Sequence, residues 1–154
     1  MLPIRFLDAD GVRLGHLLLK KNRKRLEVVR TNLSLCFPEK TAEEIYRMVT
    51  LHFEFLMRAI MHYGLIWWAS EKRLQKHLDL QGFEQVRQLQ DAGHNIIILL
   101  SHCTGLEFAV SAIAQQFPSS GPYKAFDHPV VDWLIARARV RFNDLQAFTR
   151  EEGL

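Results

Sequence analysis

A run of five aliphatic residues, 96–100 within the stretch NIIILLSHCTGLEF, constrains the fold more than any other feature of the sequence. The run begins with three β-branched isoleucines and is too short for a helix, so it predicts a buried β-strand. Polar residues follow at once, beginning with Ser101 and His102. Ligand sites in open α/β sheets lie at the carboxyl ends of strands, so His102 occupies a position where a site is expected.

The first half of the chain is predicted to be helical. Leucines and valines recur at helical spacing over residues 12–35, with basic residues between them, and Pro38 ends this helix. A second helix begins at Thr41, where Glu44 three positions later completes a capping box. This helix is expected to run to about Met61.

After a break around Gly64, short strands are predicted to alternate with helices. The predicted elements are a strand at 78–80, a helix at 83–89 that stops at Gly93, the strand at 96–100, a helix at 104–117, a turn at 117–122, a strand at 123–126 and a helix at 128–142. The order strand, helix, strand, helix predicts a βαβ unit with a parallel sheet. The predicted fold class is therefore α/β, with a helical N-terminal part followed by a βαβ unit.

The chain has 154 residues, 48% of them hydrophobic and 24% charged, which suits one folded domain. Two cysteines do not form a disulfide framework, so we expect a reducing compartment. No stretch approaches the roughly 18 apolar residues of a membrane span, and the start lacks the order of a signal peptide. The net charge is +3, and basic residues cluster at 20–30 and 137–141. Such clusters attract phosphate, nucleic acid or anionic lipid.

Glu107 follows His102 by five positions, and the two have the residue types of general-base chemistry. Within one helix their side chains would point roughly 140° apart, so they meet only if His102 lies in the turn before the helix. The carboxylate would then orient the imidazole, which would take a proton from a substrate hydroxyl. From the residues alone, a chance spacing stays open, as does Cys103 as a rival nucleophile. No metal site is predicted, because the histidines and cysteines lack metal-ligand spacing.

Three stretches carry a resemblance to a known family: RTNLSLCFPE at 30–39, NIIILLSHCTGLE at 95–107 and YKAFDHPVVDWLIARARVRFN at 123–143. Together they resemble the lipid A biosynthesis (lauroyl/myristoyl) acyltransferases, within the wider lysophospholipid acyltransferase group. The first is similar to that family's Arg-x-Asn-Leu-x-Leu-x-Phe-Pro segment, and the second to its strand and His-x4-Asp/Glu motif. The third is similar to its Tyr-Arg-Pro-x-x-Asn-Pro-Leu-Leu-Asp block. Their order and separations also fit, and the resemblance covers nearly the whole chain.

The resemblance implies a glycerolipid-acyltransferase-like sheet and a defined reaction. A fatty acyl chain moves from an acyl carrier protein thioester to a hydroxyl of a lipid A precursor, without a cofactor or a metal. The family's motif implies that His102 deprotonates this hydroxyl and that Glu107 orients His102. It also implies that Arg139 and Arg141 bind substrate phosphate, since the guanidinium fork pairs with phosphate oxygens. A solvated helix face is the alternative for these two arginines.

The resemblance further implies a chain that is incomplete at both ends, because typical members are much longer. Residues 1–62 are expected to form a helical, membrane-proximal part, and residues 63–154 the catalytic part, of one partial acyltransferase domain. Lys124, Ala125 and His128 stand where the family pattern has arginine, proline and asparagine.

The family works at the cytoplasmic face of the bacterial inner membrane, and the same peripheral localisation is implied here. The basic helix at 20–30 would lie against anionic lipid headgroups, with a helix packed on the domain as the alternative. Nucleic acid is not an expected partner, because no recognition motif accompanies the basic residues. Two other functions stay open: a catalytically incompetent remnant that binds anionic membranes through residues 13–30, and a hydrolase that uses water instead of the sugar hydroxyl.

Overall fold

The structure is a computed structural model and describes residues 3–141 and 145–148. Over these residues the elements are α1 (Ile4–Lys21), α2 (Arg23–Cys36), α3 (Ala42–Trp68), α4 (Glu71–Gln75), α5 (Phe83–Asp91), α6 (Leu106–Ala114), β1 (Ser119–Pro122), α7 (Pro129–Arg139) and β2 (Leu145–Phe148). The chain divides into two compact units, Met1–Gly64 and Leu65–Leu154. That the front part is membrane-proximal and the rear part catalytic stays a prediction.

The predicted single helix at 12–35 is wrong, because two helices occupy this segment. α1 begins earlier than predicted, and α2 follows it after one non-helical residue, Asn22. The Asn22 side-chain oxygen accepts a hydrogen bond from the backbone N–H of Arg25 at 3.0 Å. Asparagine favours such a cap over a helix interior, which explains the break. The end of α2 at Cys36, just before Pro38, confirms the predicted stop.

The beginning of α3 confirms the predicted capping box. The backbone N–H of Thr41 donates to the Glu44 carboxylate at 2.9 Å, and the backbone N–H of Glu44 donates to the Thr41 hydroxyl at 3.2 Å. The helix continues past the predicted end at Met61 and past the predicted break at Gly64, and it ends at Trp68. A glycine costs a helix only about 1 kcal/mol, which the buried aliphatic side chains that follow it offset.

The core of the first unit consists of Leu19 from α1 and Ile45, Val49 and Phe53 from α3. Leucine and valine side chains of α2 pack against this cluster and are partly buried. The remaining faces of α1 and α2 are exposed and carry most of the basic residues. Each of these helices is therefore amphipathic, as the sequence pattern predicts.

α1 approaches α3 closely at two glycines. A Cβ atom added at Gly11 would lie 2.6 Å from the Cα atom of Arg58, and one added at Gly15 would lie 2.7 Å from the carbonyl oxygen of Phe53. Only glycine fits these backbone contacts. The carboxylate of Asp8 also accepts a hydrogen bond from Arg58 Nε at 2.9 Å, so a polar contact fixes the same two helices.

The second unit contains a parallel two-stranded sheet, with Ser119 opposite Leu145 and Pro122 opposite Phe148. α7 connects the two strands, so the sheet belongs to a βαβ unit, which is consistent with the α/β class. The predicted unit, with strands at 96–100 and 123–126 joined by the helix at 104–117, is not formed within the described residues. The strands are not the predicted ones. The predicted turn at 117–122 is wrong, because β1 lies within it. Serine, glycine and proline favour turns locally, and the ladder to β2 overrides that preference.

The predicted buried strand at 96–100 is wrong. The segment has no regular secondary structure, and its five side chains are 36–91% exposed. Exposure alternates along it, with Ile97 at 87% and Leu99 at 91% and the other three at 36–43%. Such alternation is typical of an extended chain. A strand also requires a hydrogen-bonded neighbour, and among the described residues β1 pairs with β2 alone.

The predicted strands at 78–80 and 123–126 are also wrong, since neither segment forms a strand, although the backbone N–H of Tyr123 donates to the carbonyl of Phe148 at the end of β2 at 2.9 Å. Three predicted helices are confirmed, namely 83–89 as α5, 104–117 as a shorter α6 and 128–142 as α7. Gly93, with φ 80°, follows α5 as predicted, and Pro129 is the first residue of α7. Phe142, at the predicted end of the last helix, lies outside the described residues.

No helix in residues 3–141 is both long and apolar enough to cross a membrane.

Candidate active site

A bidentate ion pair joins α6 to α7 in the second unit. The guanidinium of Arg139 donates from Nε to one carboxylate oxygen of Glu107 at 3.2 Å and from its terminal nitrogen to the other at 2.5 Å. The two side chains are only 16% and 11% exposed. Charge-assisted pairs of this geometry fix both partners in orientation as well as in position. Glu107 is therefore a rigidly held carboxylate.

The surroundings of the pair explain its rigidity. Glu107 lies in the first turn of α6, and Arg139 is the last residue of α7. α6 packs against α7, and Ile135 and Ala138 of α7 are buried. The Tyr123 ring also neighbours the guanidinium, with its centroid 5.8 Å from Arg139 Cζ. A carboxylate and an aromatic face thus hold one cation.

His102 is exposed and lies immediately before the turn that leads into α6. This is the position that the spacing argument requires, with the histidine in the turn region and Glu107 in the first helical turn. Within the described residues, the hydrogen bonds of the Glu107 carboxylate go to Arg139 and not to His102. Cys103 is a free, exposed thiol beside it. The structure thus brings Glu107 together with Arg139, and it leaves the His102 ring open to a ligand.

Arg141 lies beyond α7 and donates hydrogen bonds to backbone carbonyl groups of the second unit. One terminal nitrogen donates to the Ile66 carbonyl at 2.6 Å, and the other donates to the Ala69 carbonyl. These carbonyls belong to the C-terminal end of α3, where a cation complements the helix dipole. The predicted binding of phosphate by Arg139 and Arg141 stays a prediction. In this structure both guanidinium groups have protein partners.

A cleft of about 680 Å³ opens beside the ion pair, and Arg139 contributes to its wall. Residues from the 96–100 segment other than Leu99, from α6 and from β1 also line it, including Leu106, Val110 and Ile113. The lining combines aliphatic side chains with polar ones, among them Gln90, His94 and Asn95.

The sequence did not reveal three features of this site. Glu107 and Arg139 are 32 residues apart, and no periodicity links them. The Tyr123 ring contact and the cleft likewise depend on the packing of α6, α7 and β1. A conserved spacing between the two charged residues would have been the only available signal, and one sequence does not provide it.

Among residues 3–141 and 145–148, no group of His, Cys, Asp and Glu side chains has the arrangement of a metal site.

The second unit thus carries a fixed carboxylate, an exposed imidazole and an adjoining cleft. Comparison with known proteins gives the family. Residues 1–149 match the family model for bacterial lipid A biosynthesis acyltransferases. The chain therefore belongs to this family, which confirms the resemblance read from the sequence.

The relatives include the lipid A biosynthesis lauroyltransferase of Escherichia coli (strain K12), 32% identical over 142 residues, which cover 92% of this chain and 46% of that protein. The lipid A biosynthesis palmitoleoyltransferase of the same organism is 27% identical, with the same coverage. A lipid A biosynthesis acyltransferase of Haemophilus influenzae is 30% identical over 144 residues, again 92% of this chain and 46% of the relative. The chain thus spans about half the length of these relatives. No solved structure matches it.

Proposed function

We propose that this chain carries the acid–base half of a lipid A acyltransferase site. In this site a fatty acyl chain moves from an acyl carrier protein thioester to a hydroxyl of a lipid A precursor. The observation that carries the proposal is the carboxylate of Glu107, which Arg139 fixes in the first turn of α6, five residues after the exposed His102. Family membership supports the type of reaction.

The proposed reaction needs one proton shuttle and no covalent acyl-enzyme. His102 accepts the proton of the acceptor hydroxyl as its oxygen attacks the thioester carbonyl carbon. A C–O bond forms, the C–S bond breaks, and the imidazolium returns the proton to the departing thiolate. Glu107 orients the imidazole through an N–H donor and stabilises the imidazolium form.

The Glu107–Arg139 pair is compatible with this role. A carboxylate offers about four acceptor directions, and the two hydrogen bonds from Arg139 use two of them. The remaining lone pairs can accept an N–H from His102, which is free to turn because it lies in an exposed, non-helical segment. Arg139 is then a positioning residue for Glu107. Its predicted contact with substrate phosphate would use the terminal nitrogen that the carboxylate leaves free.

The cleft supports the acyl side of the proposal. Its walls include aliphatic side chains and Arg139, so a hydrocarbon chain bound there would end close to the carboxylate. Hydrophobic burial contributes about 0.8 kcal/mol per methylene group, which is enough to hold an acyl chain.

The first unit supports the proposed location at the cytoplasmic face of a bacterial inner membrane. α1 exposes Phe6, Leu14 and Leu17, at 48%, 37% and 47%, on the side that also carries Lys20 and Lys21. Apolar and basic side chains on one helix face suit insertion between anionic headgroups. The same observation favours the second candidate function, a remnant that binds anionic membranes without transferring acyl chains.

One assay separates these functions. The chain is incubated with acyl carrier protein loaded with a labelled acyl group, with and without a lipid A precursor. We expect label in the lipid only when both are present, and none with His102→Ala. Cys103→Ala, which changes the neighbouring exposed residue, should keep the rate.

Unchanged transfer by His102→Ala would refute the role of the base, and loss with Cys103→Ala would point to the thiol instead. Release of free fatty acid without an acceptor would identify a hydrolase. Binding to anionic vesicles with no transfer by the unaltered chain would refute the enzyme and favour the remnant.

A further inference from the structure

α7 has two unlike faces. Its inner face buries Ile135 and Ala138 and carries Arg139 towards Glu107. Its outer face exposes Val130 at 57% and Trp133 at 56%. Such large exposed side chains on a helix whose other face is buried have no function in the packing of this unit.

The outer face forms a continuous stripe. Val130, Trp133 and Arg137 are spaced by three and then four residues, so they fall within roughly 60° of one another around the helix axis. Arg139 falls roughly 150° from the centre of that arc. Val140, 57% exposed, extends the apolar surface just after the helix. We call Val130, Trp133, Arg137 and Val140 the α7 stripe.

The charge on the stripe has one sign. Within Pro129–Arg139, Arg137 is the only ionisable side chain on the arc, and its guanidinium carbon lies 5.3 Å from the centroid of the Trp133 ring. The acidic residue of α7, Asp132, lies on another side of the helix and accepts a hydrogen bond from the backbone N–H of Phe126 at 2.9 Å. Anionic groups that approach the stripe therefore meet a cation and no carboxylate of the helix.

We propose that the α7 stripe is a membrane-contact surface that inserts Trp133 and the valines into the headgroup region of an anionic bilayer. Tryptophan prefers this boundary because its ring is apolar and its N–H needs a polar partner. Arg137 covers the ring with its apolar stem and reaches a lipid phosphate with its guanidinium, which pairs bidentately with phosphate oxygens. An acidic protein partner would require more cations than this single arginine.

This inference deepens the proposed function, because an enzyme acting on a lipid must reach that lipid at a membrane. It is nevertheless tested without acyl donor or acceptor. If the stripe does not bind vesicles, the chain can still transfer acyl groups to an acceptor dispersed in detergent. If the enzyme is inactive, the result of the vesicle experiment is unchanged.

The test uses Trp133 as its own reporter. The chain has three tryptophans, so the double variant Trp67→Phe/Trp68→Phe leaves Trp133 alone. Vesicles containing phosphatidylglycerol should shift the Trp133 emission to shorter wavelength, and brominated phosphatidylglycerol should quench it. Vesicles of phosphatidylcholine should give a smaller shift. A Trp133 emission that stays unchanged while the chain co-sediments with the anionic vesicles would overturn the proposal and assign binding to other surfaces.

Variants give the size of the effect. Trp133→Gln should weaken sedimentation with phosphatidylglycerol vesicles on the order of tenfold, and Arg137→Gln about fivefold. Trp68→Gln is the matched control, because Trp68 is 64% exposed and lies outside the stripe, and it should bind as the unaltered chain does. Equal losses for Trp68→Gln and Trp133→Gln would overturn the proposal. If Trp133 is shielded from solvent without lipid, and the shielding grows with protein concentration, the stripe is assigned to contact between copies of this chain. If the shielding appears on addition of acyl carrier protein, the stripe is assigned to that protein.

Discussion

Arg139→Met tests whether the ion pair between α6 and α7 holds the second unit together. Methionine keeps the unbranched stem and removes the guanidinium, so both hydrogen bonds to Glu107 are lost while packing is largely retained. Removing one partner of a fully buried pair costs about 3–5 kcal/mol, because the other charge is left uncompensated. Here the carboxylate keeps 11% exposure, so we expect the low end, about 3 kcal/mol.

Urea unfolding followed by circular dichroism measures this loss, and a double-mutant cycle separates the pair from its surroundings. Glu107→Gln should cost a similar amount, because it leaves the guanidinium buried without a counter-charge. Arg139→Met/Glu107→Gln should cost clearly less than the sum of the two, with a coupling energy of about 2 kcal/mol. The loss should change little with added salt, since buried pairs are weakly screened.

Arg137→Met is the matched control for this cycle. Arg137 lies on the same helix, is exposed, and has an aromatic neighbour but no carboxylate partner among the described contacts. Its replacement should change stability by no more than about 0.5 kcal/mol. Additive single-variant effects, or equal losses for Arg137→Met and Arg139→Met, would show that the guanidinium does not stabilise the site through Glu107.

Three further predictions concern local features. Gly15→Ala should lower the unfolding free energy by about 1–3 kcal/mol, because its Cβ would press on the α3 backbone, whereas Ala9→Leu on the exposed side of α1 should be neutral by the same urea titration. The pKa of Glu44 is held below its usual value of 4.5, mainly by the backbone N–H of Thr41. The carboxylate therefore stabilises the fold above pH 4.5, and this stabilisation is lost as the pH falls through the lower folded-state pKa. In thermal melts across the acid range, Glu44→Gln should lose less stability at low pH than the unaltered chain, and identical profiles would refute this. Leu99→Lys should reduce light scattering without loss of stability, since Leu99 is 91% exposed, and a destabilised variant would contradict that exposure.

Local signals predicted the helices well. The capping box at Thr41, the left-handed glycine after α5 and the proline that opens α7 each act within a few residues of chain, so the sequence alone contains the whole cause. The break at Asn22 also has a local cause, namely the cap that its side chain forms. It was missed because the apolar periodicity on both sides of it reads as one continuous helix.

Strands were predicted poorly because a strand depends on its neighbour. Residues 96–100 have the composition of a buried strand, and their exposure alternates as in an extended chain. Within the described residues they nevertheless have no neighbouring strand to which they hydrogen-bond. Residues 119–122 have turn composition and become β1 because β2 pairs with them in parallel register. In both cases the deciding interaction is distant in sequence, and local preference cannot predict it.

The local positions of the site residues were predicted correctly, whereas the contacts between them were not. The sequence placed His102 in a turn region and Glu107 in the first turn of a helix, and both positions hold. Phosphate binding by Arg139 stays a prediction, and the ion pair between this guanidinium and Glu107 was not predicted. Two charged residues on separate helices meet only after the helices pack, so this contact belongs to tertiary structure alone.

α7 connects the two proposals, because one rigid helix carries both surfaces. Its inner end holds Glu107 through Arg139, and its outer face presents Trp133 and Arg137. Six residues separate Trp133 from Arg139, which is a rise of about 9 Å along the helix axis. If Trp133 lies at headgroup depth, the Glu107 carboxylate lies within one helix diameter and a short axial distance of the bilayer surface. A lipid acceptor would then need to expose only its headgroup hydroxyl to reach the site, while its chains remain in the membrane.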